Sequence, residues 1–154
     1  MLPTTAAAEI PAREPHPSLV TLAHVTYLLH GVGLGLGAFA AATVFGVFAF
    51  GWSSLLAVVL NYLKRAEARG TWLESHYTWQ IRTFWTAFPI AVVIALAGVG
   101  LIVATITAAA GNGVPEAMTA GFLFWGVAWV LLGAWALYRV IRGWTALGAR
   151  RPLY

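Results

Sequence analysis

The sequence predicts an all-α, polytopic membrane protein with four transmembrane helices arranged as two hairpins. Hydrophobic residues make up 60% of the 154 residues and charged residues only 9%, far from the composition of a soluble globular protein. Three long stretches without a charged residue account for this bias: residues 15–63, 83–115 and 117–138. The cations are grouped mainly at two places, one in the middle of the chain and one near its end. These observations indicate a single domain embedded in a bilayer.

The lengths of the uncharged stretches predict the number of helices. One crossing takes about 20 apolar residues, so the second and third stretches each fit one helix. The first would be roughly 70 Å long as a single helix against a hydrocarbon core of about 30 Å, so we divide it in two. We place that turn at residues 37–43, because a rival turn at residues 51–54 would leave too few residues to cross again before the basic corner. The predicted transmembrane domain covers residues 18–146, with helices at about 18–37, 44–69, 72–110 and 119–144, between a disordered cytoplasmic tail at 1–17 and a cytoplasmic tail at 147–154.

A polar segment, residues 64–85, is predicted to contain the corner between the second and third helices. Gly70 follows a basic helix end, where glycine adopts the left-handed conformation that stops a helix. Thr71 and Glu74 have the spacing of a capping box, in which the Thr71 hydroxyl accepts from the backbone N–H of Glu74 and the Glu74 carboxylate accepts from that of Thr71. We therefore expect one helix to end at about Gly70 and the next to begin directly after Thr71.

The positions of the cations predict how the chain is threaded. Basic residues flank the corner and follow the last apolar stretch, whereas the loop at residues 111–118 has only Glu116 as a charged residue. By the positive-inside rule, the corner and the C-terminus are cytoplasmic and the loop faces outward. Four crossings then place the N-terminus in the cytoplasm as well. The cations beside the predicted spans are candidate contacts for lipid headgroups: Lys64, Arg65, Arg69, Arg82, Arg139 and Arg142.

A glycine series in the first stretch allows three interpretations. Its members form two overlapping small-residue steps, which let helices approach closely in lipid. We favour packing against the protein's own helices; a specific dimer face and a loosening of the helix before the first turn are the alternatives. The series is Gly31, Gly33, Gly35 and Gly37.

Polar residues within apolar segments are costly and are therefore candidates for function. His76, Gln80 and Thr83 are spaced to lie on one side of the third helix. His76, with Gln80 and Glu74 nearby, could relay protons, but we favour an interfacial face in contact with water and headgroups. His24 and His30 are six residues apart, so they lie on different faces of a helix and make a poor joint metal site. Haem ligation by one of them with a histidine on another helix is the alternative to a hydrogen bond with a neighbouring helix.

The remaining residues argue against catalysis. The chain has no cysteine and no aspartate, and its five glutamates lie outside the middle of the predicted spans. No Ser–His–acid set, metal-ligand spacing or phosphate-binding loop is present, so we expect no enzymatic activity, no catalytic residue and no bound cofactor or metal. There is also no basic face with interleaved aromatic residues, so we expect no nucleic-acid partner.

Five segments at the corner and at the end of the last helix form a recognisable set: Asn61–Arg65, Arg69–Thr71, Glu74–His76, Trp79–Trp85 and Tyr138–Trp144. Together they resemble an uncharacterised family of small bacterial four-helix membrane proteins. The wider group includes relatives of the chloroplast inner-envelope translocon channel subunit and some magnetosome-membrane proteins. The resemblance covers about residues 22–152 and implies a helical bundle of the bacterial inner membrane, in a complex with a membrane-protein partner or as a homo-oligomer.

We therefore expect a non-enzymatic accessory or assembly subunit of the inner membrane, in contact with the lipid bilayer. The alternative is a component of a channel or transporter that uses the polar face of the third helix.

Overall fold

The structure, a computed structural model, describes residues 13–40, 44–111 and 116–153. This part of the chain is all-helical and contains four helices, which confirms the predicted all-α class and the predicted number of helices. Three of them hold segments long and apolar enough to cross a membrane, as expected of a multi-pass membrane protein: Pro17–Leu36, Glu74–Ala110 and Met118–Gly148. The four helices are α1 (Pro17–Ala40), α2 (Val44–Arg65), α3 (Glu74–Gly111) and α4 (Glu116–Gly148).

The first turn separates α1 from α2. The two helices leave residues 41–43 between them, inside the predicted interval of 37–43; these three residues lie outside the described part of the chain. The rival turn at residues 51–54 is wrong, because those residues lie within α2. The last helix, α4, is longer than predicted at both ends.

The corner between α2 and α3 differs in detail from the prediction. The second helix ends at Arg65 rather than near Gly70, and i→i−3 backbone hydrogen bonds tighten the chain after it. Gly70 has a φ of 74°, so its predicted left-handed conformation is confirmed, but it lies within the corner and not at the end of α2. The capping box is wrong. The Glu74 carboxylate accepts from the N–H of Gly70 at 3.1 Å, and the Thr71 hydroxyl donates to the carbonyl of Ala68 at 2.7 Å. Both side chains close the tight turn instead of capping α3 at Thr71.

The helices pair as predicted, α1 with α2 and α3 with α4, and the two hairpins meet through α1 against α4 and α2 against α3. The start of α1, the corner, the start of α3 and the end of α4 lie together, because Leu19, Ala68, Leu73 and Leu147 belong to one buried cluster. We call this the basal end. It brings together the three chain segments that the sequence predicts to share one side of the membrane.

Close packing in the bundle uses glycines other than the predicted series. A Cβ on Gly98 of α3 would lie 2.6 Å from the indole ring of Trp125 on α4, and a Cβ on Gly143 would overlap the phenol ring of Tyr27 on α1. These glycines let α4 approach α3 and α1 at the places where an aromatic ring lies between the helices.

The predicted glycine series has a different environment. Gly33 is buried. A Cβ on Gly31 or Gly35, however, would meet no atom of the described residues within 4 Å. Packing of the series against the protein's own helices therefore stays a prediction. The side-chain surroundings of Gly37 lie outside the described residues.

We predict that Gly98→Ala lowers the free energy of unfolding by about 1–3 kcal/mol, because the added methyl group must displace a ring from a packed interface. The Trp125 indole cannot move freely, since its Nε1 donates to the carbonyl of Ile94 at 2.7 Å. Gly126→Ala is the matched control. A Cβ there meets open space, so that change should be neutral or stabilising by up to about 1 kcal/mol. Thermal unfolding in one detergent measures both, and equal stability of the two variants would contradict the packing.

Candidate functional site

The predicted polar face of α3 points into the bundle. His76 is fully buried, Gln80 is 2% exposed and Thr83 is half-buried. The spacing therefore does place the three residues on one side of the helix. The favoured interpretation, a face in contact with water and headgroups, is wrong for His76 and Gln80, because α1, α2 and the C-terminal tail cover them.

His76 links three parts of the chain. Its Nε2 lies 2.9 Å from the carbonyl oxygen of Arg151, and its Nδ1 lies 3.3 Å from the hydroxyl of Tyr27. A carbonyl oxygen can only accept, so Nε2 carries the proton. In the neutral ring, Nδ1 then accepts from the Tyr27 hydroxyl. One imidazole thus joins α1, α3 and the tail through two directional contacts.

The tail is held in place by the way α4 ends. The N–H of Arg151 donates to the carbonyl of Ala146, and the N–H of Arg150 donates to that of Leu147, which is the Schellman pattern. Arg150 takes the left-handed position of that motif with a φ of 51°, a position that usually favours glycine. The chain then turns back over α3, where the N–H of Leu153 donates to the Ser75 hydroxyl at 2.9 Å.

A second polar group lies deeper among the helices. The Asn61 side-chain amide of α2 donates to the Gln80 carbonyl oxygen at 3.2 Å. Asn61 Oδ1, Gln80 Nε2 and His30 Nε2 are buried and have no hydrogen-bond partner among the described residues. Gln80 and His30 also line a small cavity of about 10 Å³, roughly the minimum that one water molecule occupies. Such a water would satisfy polar atoms that are otherwise costly to bury.

Arg139 of α4 is held against α3 by contacts of its side chain. Its Nε donates to the Thr83 hydroxyl at 3.1 Å, and its guanidinium carbon lies 3.5 Å from the ring centroid of Trp79. The indole Nε1 of Trp79 in turn donates to the backbone carbonyl of Arg139 at 3.1 Å. The cation, the indole and the hydroxyl therefore hold α3 and α4 together where both helices leave their apolar stretches.

The other candidate headgroup contacts lie on the surface. Lys64 is half-buried and forms an ion pair of 2.6 Å with Glu67 inside the corner. The other four candidates are exposed, which is consistent with the predicted contact with lipid headgroups but does not test it. They are Arg65, Arg69, Arg82 and Arg142.

The two histidines of α1 have separate environments. His24 Nδ1 accepts from the indole Nε1 of Trp144 at 2.9 Å, a hydrogen bond between neighbouring helices as the sequence predicted. His30 is 8% exposed and belongs to the deeper polar group. Within the described residues, no three histidine, glutamate or other ligating side chains come together in a way that could hold a metal ion.

The sequence analysis did not select Tyr27 or Asn61 as site residues, although both form buried hydrogen bonds with the polar face of α3. In the sequence, Tyr27 is one more aromatic residue of an apolar helix. Only its burial, with 1% of its surface exposed, shows that its hydroxyl needs a hydrogen-bond partner. Asn61 did carry a signal, because an amide near the end of an apolar helix must be hydrogen-bonded when buried. Trp79 is 9% exposed and packs under Arg139.

Comparisons of this protein with family models, with curated proteins and with solved structures gave no match. The functional argument therefore depends on the chain's own geometry, and the resemblance given above stays a prediction.

We predict that His76→Ala frees the C-terminal tail. The change removes the partners of the Tyr27 hydroxyl and the Arg151 carbonyl, and each buried group left unpaired costs about 1–3 kcal/mol. Hydrogen exchange followed by mass spectrometry should show faster exchange over residues 149–153, including the Leu153 amide. Thr107→Ala is the control, since its hydroxyl bonds only within α3. Unchanged protection of the tail in His76→Ala would contradict the linking role.

Proposed function

We propose that this chain is a non-enzymatic accessory or assembly subunit of the bacterial inner membrane, with four transmembrane helices and both ends in the cytoplasm. The basal end supports this threading. It gathers the start of α1, the corner and the tail, and the Trp72 indole Nε1 lies 3.5 Å from the carboxylate of Glu14 ahead of α1. Most of the chain's cations lie near it, and cations favour the cytoplasmic side.

The fourth span in this proposal is α2. It has 22 residues, which at about 1.5 Å each covers the roughly 30 Å of a hydrocarbon core. Its only charged residues, Lys64 and Arg65, are in its last turn. A helix with this distribution can cross with its basic end at the surface.

One observation carries the accessory role: two of the three residues of the polar face of α3, His76 and Thr83, use their hydrogen-bonding groups for contacts within the chain. Both ring nitrogens of His76 have partners, and the Thr83 hydroxyl donates to Trp79 and accepts from Arg139. A conduit needs polar atoms turned towards a water-filled path. A junction that joins α1, α3, α4 and the tail instead gives a rigid base from which the apolar surfaces of α3 and α4 can meet other membrane components.

A component of a channel or transporter is the second candidate. Its support is the deeper polar group, in which His30, Asn61 and Gln80 each keep one unpaired buried atom. A buried polar group with spare hydrogen-bonding capacity is the kind of feature that lines a proton or solute path.

We predict that the purified protein, reconstituted in liposomes that hold a pH-sensitive dye, leaks protons no faster than empty liposomes. Purification in a mild detergent should yield it in fixed stoichiometry with a larger membrane complex. His30→Ala, with His16→Ala as an exposed control, should leave the proton leak at the background rate in both cases.

The conduit gives the opposite result. Wild-type protein would then leak above background, and His30→Ala would change that leak while His16→Ala would not. That outcome, together with a protein that purifies alone, would overturn the accessory role.

A further inference from the structure

A groove of about 750 Å³ lies at the basal end, between the start of α3, the end of α4 and the folded-back tail. Its apolar walls include Trp72, Trp79 and Leu153. Two hydroxyl-bearing residues from the first turns of α3, Ser75 and Thr78, also line it. The groove is open to the outside, so a ligand can enter without a change in the bundle.

Two guanidinium groups line this groove, Arg82 from α3 and Arg139 from α4. Arg82 and Arg142 are close enough for their positive charges to act on Arg139. The guanidinium carbon of Arg142 is 5.4 Å from the ring centroid of Trp79, on which Arg139 also rests. Two guanidinium groups, those of Arg139 and Arg142, therefore lie near one indole ring, and Arg82 adds a third positive charge that acts on Arg139.

No carboxylate balances these charges within the described residues, where the ion pair found is the one between Lys64 and Glu67. Glu74 does line the groove, but its carboxylate accepts from the N–H of Gly70 at the corner. It lies two helical turns before Arg82, about 12 Å along α3. The end of the groove at Arg82 and Arg139 therefore has an uncompensated positive charge that favours an anion.

The geometry of Arg139 suits a phosphate. Its Nε is bound to Thr83 and its face rests on Trp79, so the plane of the guanidinium group is fixed. Its two terminal nitrogens have no acceptor among the described residues and remain available for a bidentate contact. Arginine held in this way binds phosphate oxygens with little further loss of freedom.

The sequence position of the two arginines indicates where the anion comes from. Arg82 directly precedes the uncharged stretch 83–115, and Arg139 directly follows the stretch 117–138. Both cations therefore lie at the level where a helix passes from water into hydrocarbon, which is the level of lipid phosphates. Beyond Arg82, α3 continues into exposed apolar side chains such as Trp85 and Phe88, along which acyl chains can lie.

We propose that this groove binds the headgroup of an anionic phospholipid, with its phosphate held between Arg82 and Arg139. The site depends on the membrane embedding proposed above. It does not depend on whether the protein is an accessory subunit or part of a conduit, because neither role uses the groove. The lipid would fill the space between α3, α4 and the tail.

The test uses the full chain, purified in a mild detergent and given phosphatidylglycerol or phosphatidylcholine, with native mass spectrometry as the readout. We expect one phosphatidylglycerol molecule to stay bound while phosphatidylcholine is lost. Arg82→Gln should lower the retained fraction by about fivefold, the factor expected for one cation near an anionic surface. Arg139→Gln should lower it at least as much, and Arg139→Lys should also weaken retention, because lysine lacks the fixed fork.

Arg65→Gln is the matched control, because it removes one exposed cation from α2, outside the groove. A loss in this variant equal to that in Arg82→Gln would show diffuse attraction only and overturn the site. Equal retention of the two lipids would also overturn the site.

Glycerol phosphate added as a competitor should displace the lipid weakly. If glycerol phosphate displaces the bound lipid as well as added phosphatidylglycerol does, the ligand is a free phosphate and the lipid assignment is wrong. Because Arg82 is exposed, we expect Arg82→Gln to fold, and this variant still tests the site if Arg139→Gln does not fold.

Discussion

The basal end depends on one constraint: a polar group buried there among apolar helices is costly unless it has a hydrogen-bond partner within the chain. His76 meets this constraint with two partners, one on α1 and one in the tail. The Tyr77 hydroxyl does so by donating to the carbonyl of Leu19 at 3.0 Å. Because these partners come from segments far apart in sequence, satisfying them fixes the relative positions of the helices at the basal end.

The rest of the bundle has less of this kind of specification, although the Trp125 indole Nε1 donates to the carbonyl of Ile94. Beyond residue 87, the side chains of α3 are largely exposed, and α3 approaches α4 closely at Gly98 of α3 and at Gly121 of α4. Apolar surface of this kind is stable in contact with lipid and can pack against different neighbours. The protein therefore combines one end that is locked by hydrogen bonds and cation–π contacts with a long hairpin that offers apolar surface. This division suits a subunit whose base is rigid and whose far end adapts to its surroundings.

The sequence was sufficient for the features that follow from length and local chemistry. Uncharged stretches predicted four helices, and Gly70 after a basic segment predicted a left-handed residue in the corner between α2 and α3. The partners across helices could not be predicted, because periodicity places His76 on a face but does not say what covers that face. The capping box failed for a related reason. The chain after Arg65 curls through successive tight turns, so the Glu74 carboxylate reaches Gly70 rather than Thr71. The glycines that allow close approach, such as Gly98, depend on where Trp125 lies, which spacing alone does not contain.

The central claim is that the basal end, with its cations, lies on the cytoplasmic side of the membrane. The chain has no cysteine, so single-cysteine variants test it directly. Ala66→Cys and Ala149→Cys occupy exposed positions at the basal end, and Glu116→Cys is at the start of α4. A membrane-impermeant maleimide added to cells with a permeabilised outer membrane should label only Glu116→Cys, and the other two should react after the inner membrane is opened. Labelling of Ala66→Cys or Ala149→Cys before that step would contradict the claim.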